Sequence, residues 1–455
     1  MKIVNPATEE VIADLPADTP VTAAQKAEEA REAQPAWAAV PLDRKLEIVR
    51  RFRQLLVERK ESLARTLTSE VGKPITQSRN EIEGTLGRID YFLEKVPQVL
   101  RAETVHRDEA QKLEERITLE PLGTILNISA WNYPWFVGSN VFLPALLTGN
   151  AVLYKPSEIA SLTGLAIGGL LREAGVPKGA FLPVVGGGPI GAELLRQPVD
   201  GVFFTGSYAT GRKIAEAAAG RMIRVQMELG GKSPVYVCDD VDVKAAAEAT
   251  ADGAFYNGGQ SCCAVERLYV HERVAKPFIE AFMATVGGFR IGDPTDPATY
   301  LGPLARNEQR SVLERQVEDA LGRGARRLCG GKRLDRKGWY FQPTVLVDVT
   351  PSMAVMREES FGPIIGIQAV RDDREAEFLM NDTDYGLTAG VYAKDQERAE
   401  RILAKMRSGT VYWNCCDRVS PRLPWSGRGH SGIGTTLSAY GIQAFLQPKA
   451  WHLRG

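Results

Sequence analysis

Cys262 occupies a segment whose sequence suits a nucleophile. It follows a Gly-Gly-Gln turn and precedes an apolar run that reads as a strand, within GGQSCCAVER. A cysteine on a loop at a domain junction can be partly exposed and have a lowered pKa, as nucleophilic catalysis requires. The alternative is a buried structural thiol, the common fate of a free cysteine. Cys263 is the weaker candidate, because its side chain would point the other way in an extended segment.

Two other polar residues have the chemistry to assist a nucleophile. Glu228 ends an apolar run before a Gly-Gly turn in MELGGKSP, where a desolvated carboxylate with a raised pKa can act as a general base for water. Asn132, in SAWNYPW, follows a strand, and its side-chain N–H groups can stabilise a developing oxyanion. A structural ion pair for Glu228 and a simple turn for Asn132 remain the alternatives.

A dinucleotide site is indicated by glycines and charges at strand ends, although a first-strand GxGxxG fingerprint is absent. VVGGGPIG, which contains Gly186, and FFTGSYATG are the glycine-rich candidates. Gly206 and Ser207 lead into a helix, whose N-terminus can bind a pyrophosphate oxygen. In VLYKPSE, Lys155 and Glu158 stand where a ribose would lie in an open α/β sheet. Glu158 would accept hydrogen bonds from both ribose hydroxyls and would repel a 2′-phosphate, which favours NAD over NADP. The alternative is that Lys155 and Glu158 are solvated surface charges without a ligand.

Strands alternating with helices are the elements that would position these residues. Residues 19–100 predict helices, because apolar residues recur there at three-, four- and seven-residue steps. From about residue 122, short apolar runs alternate with helical stretches, which is typical of a doubly wound parallel α/β sheet, and the pattern resumes after residue 262 as a second α/β unit. The predicted strands are Thr124–Ser129, Ala151–Lys155, Phe181–Val185, Val202–Thr205, Val235–Cys238, Arg267–Val270, Thr344–Val347, Thr388–Ala393 and Thr410–Asn414. The predicted later helices lie near 274–286, 306–323, 374–381 and 396–407.

Size, charge and cysteine usage exclude several classes of protein. The 455 residues exceed one ordinary core and suggest two or three domains. Basic and acidic residues are equal at 56 each, so no net charge attracts the chain to nucleic acid or to a membrane surface. No apolar run reaches the ~18–20 residues that span a bilayer, and MKIVNPATEE lacks the pattern of a secretory signal. With few histidines and no CxxC pattern, the sequence predicts no metal site. Sparse cysteines without the spacing of a disulfide framework predict a reducing, cytoplasmic compartment.

The order of these motifs resembles the aldehyde dehydrogenase superfamily. SAWNYP, KPSE, FTGS, MELGGKSP, GQSC and EESFGP occur in sequence, and the likeness runs from VNPATEE to SGIG, almost the whole chain. The resemblance implies NAD(P)-dependent oxidation of an aldehyde to a carboxylic acid. It implies an NAD(P)-binding domain (1–102 and 122–229), a catalytic domain (230–435) and an oligomerisation arm (103–121 and 436–455). Residues 106–121 alternate as a protruding hairpin would, and edge pairing between such arms would give a homodimer or homotetramer.

The resemblance also implies residue roles. Cys262 would be the nucleophile, Asn132 and the backbone N–H of Cys262 would bind the oxyanion, and Glu228 would be the base. Glu359 would hold the nicotinamide ribose and Phe361 would pack beside the nicotinamide. The full set of implied cofactor residues is Trp131, Lys155, Ser157, Glu158, Gly186, Gly206, Ser207, Leu229, Glu359 and Phe361.

The substrate end departs from the family pattern. The family often reads PFGG, where this chain has Pro-Trp-Ser-Gly around Trp425, after the unusual loop NCCDRVSPRL. Arg418 in that loop suits the carboxylate of a semialdehyde acid, whereas Trp135 and Trp425 suit an aromatic or cationic aldehyde. The alternative for Arg418 is a solvated charge at the rim of the pocket that binds no substrate group. The candidate pocket residues are Trp135, Phe136, Asn140, Arg418 and Trp425.

Two other functions compete with the hydrolytic enzyme. A CoA-acylating relative typically lacks the glutamate at this position, so Glu228 argues against it. A non-catalytic family member would usually lose the nucleophile, and here Cys262, Glu228 and Asn132 are all present.

Overall fold

The computed structural model describes residues 1–455, which begin with a small hairpin and a group of helices. The apolar stripe predicted on the second helix is buried, including Leu46, Phe52 and Leu56. Thr19 caps the first helix, because its side chain accepts the Thr22 N–H at 3.2 Å. The elements are β1 (Lys2–Val4), β2 (Val11–Asp14), α1 (Pro20–Ala39), α2 (Leu42–Glu58), α3 (Lys60–Val71) and α4 (Ile75–Val99).

Strands and helices alternate in the next segment, as the sequence pattern predicts. The elements are β3 (Glu103–Asp108), β4 (Leu113–Pro121), β5 (Thr124–Ile128), α5 (Pro134–Leu147), β6 (Ala151–Lys155), α6 (Ser161–Ala174), β7 (Phe181–Pro183), α7 (Gly188–Leu194), β8 (Gly201–Thr205), α8 (Tyr208–Ala219) and β9 (Arg224–Glu228). The buried apolar runs of β5, β6 and β8 explain why they form the interior of a sheet that helices cover.

A second alternating unit follows. Its elements are β10 (Pro234–Val237), α9 (Val243–Phe255), β11 (Arg267–His271), α10 (Glu272–Gly287), α11 (Asn307–Gly322), β12 (Arg326–Cys329), β13 (Thr344–Val347), α12 (Ala354–Arg357), β14 (Ile364–Val370), α13 (Asp373–Asn381), β15 (Thr388–Tyr392), α14 (Gln396–Leu403), β16 (Thr410–Trp413), β17 (Gly432–Ile433), α15 (Ser438–Gln443) and β18 (Leu446–Arg454). Strands β12 and β14 are not among the strands predicted from the sequence, although β14 lies in the interior of the sheet.

Two large, mostly parallel sheets confirm the α/β class. The first has the order β17-β9-β8-β5-β6-β7, and the second β12-β13-β14-β11-β10-β15-β16. Only the outer strands β17 and β12 run antiparallel to their neighbours. In the first sheet the chain leaves β5 toward β6 and β7, then returns to the other side through β8 and β9. Ligands bind at such a reversal point, beyond the carboxyl ends of the strands.

Two features connect the units. β17 crosses back to the first sheet, where Gly432 pairs with Glu228 at the end of β9. The charged segment around 106–121 forms a hairpin, as predicted, because β3 pairs with β4 and β18 pairs with β4 along its whole length. We call these three strands the arm. No helix combines the length and apolarity needed to cross a membrane.

Candidate active site

A cavity of about 1370 Å³ opens beyond the carboxyl ends of β5, β6, β8 and β9. It exceeds the ~300–1,000 Å³ typical of a pocket for one small ligand, so it can hold a dinucleotide together with a second molecule. Fifteen of the predicted site residues line it: Trp131, Asn132, Phe136, Asn140, Lys155, Ser157, Glu158, Gly206, Ser207, Leu229, Cys262, Glu359, Phe361, Arg418 and Trp425.

Cys262 lies on the cavity wall and is partly exposed. The chain reaches it through Asn257, Gly258 and Gly259, which all have a positive φ between 54° and 70°. A Cβ on Gly259 would lie 2.4 Å from the carbonyl oxygen of Gly362, so only glycine permits this close passage. The turn therefore presents the thiol to the cavity rather than to the core.

Cys263 also borders the cavity, but its thiol is held by a different set of contacts. Its thiol donates to the carboxylate of Asp417 at 3.0 Å, and the side chain is buried. A hydrogen bond with Cys262, burial and the Asp417 charge raise the pKa of Cys263 well above its ordinary value. This thiol stays protonated, so Cys262 is the better nucleophile.

Asn132 is anchored from both ends beside the cysteine loop. Its side-chain Nδ2 donates to the carbonyl of Gln260 at 3.1 Å, which leaves the second amide hydrogen free. Its backbone carbonyl accepts from Lys73 Nζ at 2.6 Å and from Asn257 Nδ2 at 3.4 Å. Such a fixed donor next to a nucleophile is the arrangement that stabilises an oxyanion.

Lys73 and Glu81 were missed by the sequence analysis. Both side chains are fully buried and form an ion pair, and Glu81 also accepts the backbone N–H of Trp135 at 2.9 Å. The pair joins α3, α4 and the Asn132 segment. No local sequence pattern distinguishes these residues from surface charges, because their partners come from distant positions in the chain.

Glu228 lies just behind the cavity wall, while its neighbour Leu229 lines it. One carboxylate oxygen accepts from Gln226 Nε2 at 2.9 Å and from Thr436 Oγ1 at 3.1 Å, and Oε2 has no partner. Burial raises the pKa of Glu228 well above its ordinary value. The desolvated carboxyl predicted from the sequence is therefore present, but in this conformation it does not line the cavity.

The nucleotide end of the cavity fits a pyrophosphate and a ribose. Ser207 caps α8, accepting the Thr210 N–H at 3.4 Å, and Gly206, Ser207 and Thr210 place this helix N-terminus in the cavity wall, where its partial positive charge favours an anion. A Cβ on Gly206 would lie 2.4 Å from the Phe204 ring, so glycine keeps this turn tight. The exposed carboxylate of Glu158 lies 3.9 Å from the buried Lys155 amine.

Glu359 and Phe361 line the cavity from the second α/β unit, in the segment between α12 and β14. The Glu359 carboxylate accepts the Gly231 N–H at 2.9 Å, and a Cβ on Gly230 would lie 2.4 Å from it. Burial, and then the charge of Glu266, raise the pKa of Glu359. Phe361 has a positive φ of 46°, and its ring meets the edge of Trp131 at 5.5 Å between centroids.

Glu266 and Lys232 hold that loop, and the sequence analysis had assigned them no role. The carboxylate of Glu266 accepts the backbone N–H groups of Ser360 and Phe361, each at 2.9 Å. Lys232 Nζ donates to Glu266 at 2.6 Å and to Ser360 Oγ at 3.0 Å. These bonds fix the two residues expected to contact the nicotinamide nucleoside.

The structure corrects two of the predicted positions. Trp135 does not line the cavity, because its side chain is fully buried in the core of the first unit. Gly186 also lies outside the lining, where a Cβ would lie 2.6 Å from Ile190; the nearby Gly188 and Gly191 line the cavity instead. In both cases the sequence predicted the correct segment of the chain, but not which residues of that segment line the cavity.

The substrate end combines predicted and unpredicted residues. Phe136, Asn140 and Trp425 line it, and Arg418 lies exposed at the rim with Nη1 donating to the Asp417 carbonyl at 3.1 Å. The lining residues that the sequence did not point to include Tyr133, Tyr256, Ser261 and Arg88, and Asp417 of the NCCDRVSPRL loop, which the resemblance places at the substrate mouth, also lines this end.

Comparisons with known proteins agree with this geometry. A family model described as "Aldehyde dehydrogenase family" matches residues 1–451. Aminoaldehyde dehydrogenase 2, peroxisomal, from Malus domestica is 37% identical over 458 residues, covering 98% of this chain and 91% of the relative.

Two solved structures superimpose over the whole chain. An NADP dependent enzyme from E. coli matches with a TM-score of 0.97 and 33% identity, covering 100% of this chain and 94% of that one. A point variant of betaine aldehyde dehydrogenase from Staphylococcus aureus in complex with NAD+ matches with a TM-score of 0.96 and 32% identity, covering 100% and 94%. The resemblance found in the sequence is confirmed: this chain belongs to the aldehyde dehydrogenase family.

Proposed function

We propose that this protein oxidises an aldehyde bearing a cationic nitrogen to its carboxylic acid, with NAD(P)+ as oxidant and water as the acyl acceptor. The observation that carries the proposal is one cavity that joins the Cys262 thiol and the Asn132 amide to a helix N-terminus and the Glu158 carboxylate. The names of two relatives, an aminoaldehyde and a betaine aldehyde dehydrogenase, support the substrate class.

The first half of the reaction uses Cys262 and Asn132. The sulfur bonds to the aldehyde carbon, the carbonyl electron pair moves to oxygen, and the free amide hydrogen of Asn132 stabilises the oxyanion. The backbone N–H of Cys262 is the second donor. A bound nicotinamide dinucleotide supplies the two-electron oxidation that converts this adduct to a thioester. Ser207 and Lys155 at one end, and Glu359 and Phe361 at the other, would hold that cofactor.

The second half uses Glu228. Its carboxylate takes a proton from water, the oxygen bonds to the thioester carbon, and the carbon–sulfur bond breaks to release the acid and the Cys262 thiolate. The bonds to Gln226 and Thr436 hold Glu228 behind the wall. A side-chain rotation toward the cavity is therefore part of this half of the reaction, and the unpartnered Oε2 is the atom available to take the proton.

A panel of aldehydes tests the proposal. Reduced nicotinamide should form with cationic, neutral and semialdehyde substrates in the absence of CoA, with the highest kcat/KM for a cationic aldehyde. Highest activity on a semialdehyde acid would instead favour the second candidate, in which the rim residue Arg418 binds the substrate carboxylate. A strict requirement for CoA would contradict the hydrolytic route.

Glu158 should make NAD the preferred cofactor. Its carboxylate lies exposed beside Lys155, where the 2′-phosphate of NADP would be repelled. We expect Glu158→Ala to lower the ratio of kcat/KM for NAD to that for NADP by about tenfold. Glu216→Ala, which removes an exposed carboxylate elsewhere on α8, should leave the ratio unchanged. A wild-type enzyme that prefers NADP, as the name of the E. coli relative suggests for that protein, would contradict the assignment.

We also propose that the arm joins copies of this chain into a homodimer or homotetramer. The outer strands β3 and β18 are largely exposed, and an exposed strand edge is a site for further pairing. Light scattering on the purified chain should give the mass of a dimer or tetramer, and a monomer at micromolar concentration would contradict the proposal.

A further inference from the structure

The carboxylate of Asp417 lies in the cavity wall close to the nucleophile. Its Oδ1 accepts from Ser261 Oγ at 3.1 Å and from Cys263 Sγ at 3.0 Å. These two residues flank Cys262 in the chain. Standard bond lengths and the 3.80 Å spacing of consecutive Cα atoms therefore place Oδ1 no more than about 12 Å from the Cys262 sulfur.

Asp417 has no cationic partner of its own. Both of its side-chain hydrogen bonds come from neutral donors, and the adjacent Arg418 directs Nη1 to the Asp417 carbonyl instead of the carboxylate. Burial raises the pKa of Asp417 only to about 6, so the side chain is ionised at neutral pH. A desolvated carboxylate is normally paired with a cation, and here the open cavity is where one could enter.

Two buried cations near the substrate end of the cavity, Lys73 and Arg88, already have partners. Lys73 is paired with Glu81 and lies 3.7 Å from the centre of the Tyr133 ring. Arg88 donates to Asn140 Oδ1 at 3.1 Å and lies 3.8 Å from the centre of the Phe136 ring.

These contacts also bear on recognition by aromatic rings. Tyr133 and Phe136 each stack against a cation of the protein, and their rings stack on each other at 5.8 Å. Their electron-rich faces are therefore occupied. Of the carboxylates that line this end of the cavity, Glu81 is paired with Lys73, whereas Asp417 has no such partner. The nearby Asp252 does not line the cavity and accepts the hydroxyl of Tyr300 at 2.6 Å.

The backbone at Asp417 is held in an unusual conformation. Its φ is +48°, in the left-handed region that residues with a Cβ seldom adopt. Such a backbone conformation is kept where the surrounding contacts hold it in place, often at a functional site. The side chain is thus directed at Ser261 and Cys263 by the loop that follows β16.

We propose that Asp417 is a specificity-determining residue that binds the cationic nitrogen of the aldehyde substrate. The inference rests on the proposed function and adds the group that selects the substrate. With the carbonyl carbon about 3–3.5 Å from the sulfur and the cationic group about 3–4 Å from the carboxylate, a carbon-to-nitrogen spacing of roughly 6 Å or less is enough to bridge the two groups. Short ammonium or trimethylammonium aldehydes are therefore the substrates that we expect to reach both.

Betaine aldehyde and tert-butylacetaldehyde form a matched pair, because they share shape and differ only in a charged nitrogen replacing a carbon. In the wild-type enzyme kcat/KM should be higher for betaine aldehyde. In Asp417→Asn, which keeps an acceptor for Ser261 and Cys263, the ratio of the two kcat/KM values should fall by at least about tenfold. Glu83→Gln, which removes an exposed carboxylate paired with Lys60, should keep the wild-type ratio.

Binding without turnover provides an independent measurement that needs no variant. Choline should compete with the aldehyde more strongly than the neutral alcohol in which carbon replaces its nitrogen. Equal inhibition by the two alcohols would overturn the inference, as would an unchanged ratio in Asp417→Asn or an equal loss for both aldehydes. Failure to reduce nicotinamide with any aldehyde would instead contradict the proposed function.

Discussion

Replacing Cys262 by alanine should lower the steady-state rate of aldehyde oxidation by at least about 10⁴-fold, because removing a nucleophile eliminates the covalent route. Cys262 is the partly exposed thiol on the cavity wall, and the neighbouring Cys263 is held protonated beside Asp417. The measurements are nicotinamide reduction and the mass of the acyl adduct in enzyme quenched with acid. NAD binding, followed by tryptophan fluorescence, should persist in the variant.

A matched substitution controls for the loss of a thiol. Cys329 lies in β12, away from the cavity, and its thiol donates to the carbonyl of Pro343 at 3.4 Å. Cys329→Ala should therefore keep the wild-type rate and form the adduct. If Cys262→Ala retained activity and carried an adduct, the nucleophile would be another residue, with Cys263 the first to test.

Glu228→Gln should slow hydrolysis of the thioester by about 10²–10⁴-fold while leaving its formation largely intact, because Glu228 is assigned only to water activation. Gln keeps the shape and can still accept from Gln226 and Thr436. We expect a rapid burst of about one reduced nicotinamide per active site, followed by a slow steady-state rate. Acyl-enzyme should accumulate and be visible by mass.

The pH dependence gives this assignment a second readout. Burial raises the pKa of Glu228 well above its ordinary value, so the carboxylate form that accepts a proton from water appears at higher pH than for a free glutamate. The hydrolytic rate of the wild-type enzyme should therefore rise as pH increases through that pKa, and the dependence should be absent in Glu228→Gln. Glu173→Gln, which removes an exposed partner of Arg59, is the control and should behave as wild type. A variant without a burst would show that Glu228 acts before the thioester forms.

Much of the fold follows from local patterns in the sequence. The strands β5, β6, β8, β10 and β11 are short buried apolar runs, and alternation with helices predicts their parallel arrangement. Because parallel strands present their carboxyl ends at one edge, the polar residues after them could be placed in one site. The sequence therefore predicts that Asn132, Lys155 and Ser207 lie in one site, and all three line the cavity.

Motif order identified the family, but not which side chains face the cavity. Trp135 and Phe136 are adjacent in α5, yet only Phe136 lines the cavity, because successive helical residues point about 100° apart. Glu228 was correctly expected to be desolvated. Its position behind the wall depends on Thr436 and on the pairing of β17, which lie some two hundred residues further along the chain.

The sequence by itself determined the α/β class, the family and the positions of the thiol, amide and carboxylate that its chemistry requires. Only the tertiary structure decided how these groups are held and charged. Lys73 reaches the carbonyl of Asn132, Glu266 binds the loop of Phe361, and Asp417 faces Cys263 across sequence separations of 59, 95 and 154 residues. A charged residue has no periodic signal that reveals a distant partner, so its ionisation and its role emerge only when folding removes water and brings that partner into contact.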